Sequence, residues 1–173
     1  MTVVLSDTGA IAMMSLLKAD VDAAPYGWFI AAGSGDTGWD SLGSIPAPPA
    51  TATGLVAHWG HFKATTVQYV TPDAGGALAT GSNERWSTSG SPTRYLYIEA
   101  PVDFADAPTE TIRELALYVK ATPGTGHESQ NFLPPADLDA LGTLLTMERI
   151  TATPRNGTDG VMKLVFRIGE AAA

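Results

Sequence analysis

His58 and His61 stand three residues apart, beside Trp59 and Phe62. On a short helix that spacing puts two imidazoles on one face. Two such nitrogens begin a zinc-type site, which needs a third and fourth donor from elsewhere. His127 and Glu128 are remote in sequence, so the pair reads as polar or interfacial and we expect no metal. Gly33, Gly35 and Gly38 spell G-x-G-x-x-G after an apolar run. A dinucleotide cradle needs the third glycine inside a helix whose N-terminus meets the pyrophosphate. Here Trp39-Asp40-Ser41-Leu42-Gly43-Ser44-Ile45-Pro46 follows, a poor helix, and no regular βαβ unit surrounds it. The motif reads as a turn-forming loop, and no cofactor is expected. Asp103 with Asp106, and Glu110 with Glu114, could do acid–base work if a cleft perturbed them. Nothing in the sequence supplies that cleft, so they read as a solvated face. The acidic stretches SGDTGWD and NGTDG lack the alternating oxygen ligands of a calcium loop. A G-x-S-x-G elbow and cysteine are both missing, which removes the usual serine and thiol nucleophiles. The chain is expected not to be an enzyme.

Aromatic residues offer a different chemistry. Tryptophans 28, 39, 59 and 86 are spread along the chain. Trp28 falls in an apolar run and is expected in the core. Trp39 and Trp86 fall in stretches rich in Gly, Ser and Pro, where a large aromatic reads as an anchor for a partner protein. Asp36, Asp40 and Leu42 share the loop of Trp39 and join it as candidate partner-binding residues.

The elements that must position these residues follow from periodicity. Ser6 or Asp7 caps a predicted helix over 8–20, with Ile11, Met14 and Leu17 at helical spacing. A short strand is predicted over 3–5 and a buried one over 26–33. A long loop follows over 34–54, a length that often carries contacts. Residues 54–62 read as a short helix, and 63–72 as a strand rich in β-branched residues. Residues 73–92 are polar and rich in Gly and Ser. Between 94 and 121, two runs alternate with period two around an acidic bend, with apolar groups on both faces. Such strands are covered on both sides, by protein or by neighbouring subunits. Strands at 144–153 and 161–169 flank a Pro/Asn/Gly turn and read as a C-terminal β-hairpin within 142–170. The fold class expected is α+β, mostly β: a compact sheet or sandwich-like domain with an N-terminal helix and long loops, residues 1–173 forming one unit.

Composition narrows the partners. Hydrophobic residues make up 45% of the 173, enough for a real core. Charged residues are only 16%, against about 25% in a typical domain. The net charge is −8 with Lys and Arg scattered, so neither nucleic acid nor an anionic membrane surface is an expected partner. No apolar run reaches the ~18 residues of a membrane span. The absence of cysteine fits assembly in a reducing cytoplasm.

The order of segments resembles the N-terminal, particle-attaching region of phage tail-collar and tail-fibre proteins. LSDTGAIAMMSLLKA is similar to that family's opening strand and helix, and GWFIAAGSGDTGWDSL to its apolar strand and Gly-rich turn. TATGLVAHWGHFKATTVQYVTPD and YLYIEAPVDFADAPTETIRELALYV resemble its later strands, the last with an Arg-Glu-apolar signature. The likeness covers residues 1–121. Ala116 stands where such proteins often carry Gly, and no repetitive shaft or receptor-binding tip follows. The resemblance implies a non-enzymatic virion protein in the tail of a phage. It would join fibres to the tail or form part of the baseplate, with identical subunits and tail, baseplate or fibre proteins as partners. A neck or head-decoration protein is the nearest alternative, and a small hydrolase or carbohydrate-binding module a more distant one.

Overall fold

A computed structural model describes residues 5–80, 84–103, 105, 110–155 and 159–169. Of the expected strand at 3–5, residues 3 and 4 lie outside the described residues, as does Asp106. Helix α1 spans Asp7–Asp22, and the Ser6 hydroxyl oxygen accepts from Gly9 N at 3.1 Å as its N-cap. Ala10, Met14 and Val21 are buried at helical spacing and pack the helix onto the core. Pro25 lies just past the helix end, where it cannot continue the helical hydrogen bonding.

Two antiparallel five-stranded sheets make the body. The first contains β1 (Trp28–Gly33), β2 (His58–Lys63), β7 (Thr111–Val119), β9 (Phe132–Leu133) and β11 (Thr143–Pro154), in the order β11-β7-β1-β2-β9. The second contains β3 (Thr66–Pro72), β4 (Leu78–Ala79), β5 (Arg85–Thr88), β6 (Tyr95–Val102) and β12 (Gly160–Arg167), in the order β12-β6-β3-β5-β4. A small ribbon pairs β8 (Thr122–Pro123) with β10 (Leu138–Ala140). The fold is α+β and mostly β, a sandwich that nearly closes into a barrel, as the periodicities implied.

All six residues of β1 are buried because its two faces meet different clusters. Trp28, Ile30 and Ala32 enter the core between the sheets with Phe62, Leu96 and Leu117. Phe29 and Ala31 enter a second cluster on the outer face with Tyr118 and Leu133. That outer face is closed by Leu55 from the long loop and by Leu138, Leu144 and Met147.

Three local expectations are corrected. Residues 58–63 form a strand, not the end of a helix, because pairing with β1 outweighs local preference and Gly60 lets the Phe132 ring lie against the backbone. Residues 73–92 hold β4 and β5, so Trp86 sits on a strand. The C-terminal strands exist, but they pair with other strands and not with each other: β11 with β7, and β12 with β6. The runs at 95–102 and 111–119 likewise lie in different sheets. The chain thus crosses between the sheets three times, after β2, after β6 and after β11, and Arg155 N donates to Glu110 O at 3.1 Å to tie the last two crossings together.

Candidate docking surface

The long loop between β1 and β2 is fastened to the first sheet by two arginines. Gly35 takes φ +57 and lets the backbone turn where a Cβ would strike the Trp39 ring at 2.6 Å. A 3₁₀ turn over Thr37–Ser41 follows, capped by Asp36, whose Oδ1 accepts from Gly38 N at 2.7 Å. Arg113 of β7 then grips Asp40 with the Nε–Nη2 edge of its guanidinium: Nε donates to Oδ1 at 2.8 Å and Nη2 to Oδ2 at 2.6 Å. Its Nη1 donates to Ser34 O at 3.1 Å. This two-bonded geometry is the strong form of an ion pair, and it holds the Asp40 carboxyl below the usual carboxylate range.

Arg149 of β11 is the second clamp. Its guanidinium lies 4.2 Å from the centre of the Trp39 ring, and Nη1 donates to Pro46 O at 3.1 Å. Its Nε meets Glu114 Oε1 at 3.5 Å. Glu114 is wholly buried, and its other oxygen accepts from Val56 N at 2.7 Å. The cation balances a carboxylate that would otherwise be stranded in the protein. At the loop's start, Ser34 N donates to Ala57 O at 2.9 Å, and its hydroxyl to Glu110 Oε2 at 3.0 Å.

A loop held at so many points still offers apolar groups to solvent. Leu42 is 51% exposed and Val56 61%. Beside Leu42 lies an open groove of about 420 Å³ lined by Trp39, Asp40, Leu42, Ile45, Thr151 and Ala152. The structure therefore brings four of the sequence candidates into one loop, with separate tasks. Asp36 caps, Asp40 binds Arg113, Trp39 is half-buried under Arg149, and Leu42 faces out. Trp86 is elsewhere, on the second sheet, 3% exposed among Val70, Tyr97, Leu78 and Tyr95. Its burial is complete within the chain, so it needs no partner to leave water. The sequence reading missed Arg113, Arg149, Glu114 and Val56 as parts of this surface. The Arg-Glu pair inside the apolar run TIRELALYV was the available signal, since charges in a buried strand need partners.

The residues that suggested chemistry are occupied otherwise. A register shift in the β1–β2 ladder skips Trp59, which turns His58 and His61 onto one side of their strand. His61 is fully buried; its Nε2 lies 3.2 Å from Leu141 O and its Nδ1 2.9 Å from His58 Nε2. A carbonyl only accepts, so His61 Nε2 donates and Nδ1 accepts from His58. No lone pair of His61 is left for a metal. Burial, with His58 beside it, lowers the His61 pKa to about 3, and burial lowers that of His58 as well. Of the carboxylates, Glu110 binds Ser34 and Glu114 binds Arg149, so each is committed to a partner of its own. The third glycine of the G-x-G-x-x-G lies within the 3₁₀ turn, and no helix N-terminus faces the loop's amides there. Among the described residues no three His, Asp or Glu side chains converge on a metal position, and no helix is long and apolar enough to cross a membrane.

Comparison with known protein families gives a match. The family model for the baseplate wedge 3 tail fiber network component matches residues 22–165, a span that holds both sheets, the clamped loop and its two arginines. No curated protein matches the chain significantly. With most of its length matched, the chain belongs to the baseplate wedge 3 tail fibre network component family, a structural protein of the phage tail baseplate that works among other tail proteins.

Proposed function

We propose that this protein joins tail fibres to the baseplate, and that the clamped face of residues 34–57 is where it docks. One observation carries this reading: a loop pinned by Arg113 and Arg149 still presents Leu42 and Val56 to solvent. A fixed backbone loses little freedom on binding, and apolar side chains shown on it are ready to be buried. The protein acts in several copies per particle, assembled in the host cytoplasm, with identical subunits and fibre or baseplate proteins as neighbours. It turns over no substrate, and its net charge of −8 gives it no purchase on nucleic acid or anionic membranes.

The test replaces Leu42 and Val56 with Glu, singly and together, and counts copies in purified particles by quantitative mass spectrometry. Fewer copies per particle, with the melting temperature of the isolated protein unchanged, supports docking through this face. Normal incorporation of the double variant would remove the face from the interface.

A further inference from the structure

Two five-stranded sheets have four outer strands, and three of them are guarded. β4 and β9 are two residues long. β11 is broken by two register shifts, ends in Pro154, and is overlain by the loop carbonyls of Pro46 and Ala47 that Arg149 holds. Shortness, irregularity and proline are how proteins keep a sheet margin from pairing with another chain. β12 has none of these. It runs eight residues with unbroken register against β6, from Gly160 opposite Val102 to Arg167 opposite Tyr95. Among the described residues it pairs on that side only.

From this contrast we infer that β12 accepts an extended segment of another tail protein as an added strand. The chemistry of the two faces specifies that segment. Met162, Leu164 and Phe166 turn toward the core between the sheets. Next to them a groove of about 130 Å³ opens between β11 and β12, lined in part by Leu115, Leu117, Met147 and Leu164. An added strand would lay apolar side chains into it. The opposite face of β12 carries Val161, Lys163, Val165 and Arg167, two cations and no carboxylate. Each cation already faces one acid, Lys163 with Glu99 and Arg167 with Glu84. The incoming segment therefore alternates apolar residues with Asp or Glu. A second copy of β12 would set Lys163 and Arg167 beside their own kind, and like charges across a strand pair are unfavourable. The occupant is a different protein.

Density for the whole particle decides the matter. An extended segment of another protein, hydrogen-bonded along 160–167, is the expected result. A bare β12, or a second copy's β12 in that place, overturns the inference. The full chain carrying Val161→Glu and Lys163→Gln provides an independent arm, because both side chains are exposed and neither change sets like charges directly opposite in the β12–β6 pair. Its melting temperature should match the parent while copies per particle fall at least tenfold; normal incorporation of a folded double variant also overturns the inference. Should that variant fail to fold, the density of the unaltered particle still decides. Loss of the 34–57 face from the interface would leave strand addition intact, whereas a protein absent from particles would end both readings.

Discussion

Acid should weaken this protein well above the range in which carboxylates titrate, through His61. The imidazole is fully buried, and its pKa falls from 6.5 to about 3 on folding. The unfolded chain thus binds the proton more readily than the folded one. A depressed basic group of this kind leaves stability intact above pH 6.5 and reduces it steadily as pH falls toward 3. Each pH unit in that window costs about 1.4 kcal/mol, so from pH 6.5 to 5 the loss is about 2 kcal/mol from His61 alone. His58 is shifted in the same direction and adds to the loss. Asp40 and Asp73, whose pKa values are lowered by their hydrogen-bonding partners, act only at lower pH. Urea unfolding at pH 7, 6 and 5 measures the slope. The His61→Gln variant keeps an amide nitrogen near Leu141 O and cannot titrate, so its slope should flatten to the part contributed by His58. Equal slopes in both proteins, or a parent as stable at pH 5 as at pH 7, would refute the argument.

Trp86→Ala should cost about 3–5 kcal/mol in chemical denaturation, as for a large aromatic removed from a core. Trp86→Phe should cost much less, because it deletes an indole N–H that is buried with no acceptor among the described residues. A cost under about 1 kcal/mol for Trp86→Ala would put that side chain outside the core. Arg149→Ala leaves Glu114 buried beside no cation and should destabilise by about 3 kcal/mol. Limited proteolysis should then cut within 39–52, and an uncut loop would deny Arg149 its clamping role. Gly142 has φ +78, and a Cβ there would lie 2.3 Å from Val119 O. Gly142→Ala should therefore lower stability by about 1–3 kcal/mol in a thermal melt, while Gly43→Ala, with open space around it, serves as the neutral comparison.

The strands were readable where burial and period acted together. The runs that became β1, β3, β6 and β7 were legible because each is apolar on faces that the fold does cover. Pairing was not legible. Residues 143–167 look like a hairpin because a Pro/Asn/Gly turn separates two β-rich runs, yet the better partners are the long free sides of β7 and β6. No local signal reports which side of a distant strand is vacant. The helix expected at 54–62 failed for a related reason: the i, i+3 histidines do share a face, but a skipped residue in a strand produces it. In the loop over 34–54, sequence picked out Trp39 by size and Leu42 by position. It did not show that Arg149, 110 positions away, lies over the Trp39 ring, an association that spacing cannot reveal.

The last two crossings between sheets also dictate when the protein can be finished during synthesis. β7 and β6 are heavily buried strands, and the strands that shield their flanks, β11 and β12, follow all the others in the chain. Until those arrive, a ribosome-bound chain holds both sheets open along one side, with apolar backbone margins next to a crowded polysome. Distant pairings of this kind are slow to form and leave intermediates prone to clumping. Yield of soluble protein should therefore depend on how quickly residues 143–167 emerge, and a truncation before Thr143 should accumulate as insoluble material.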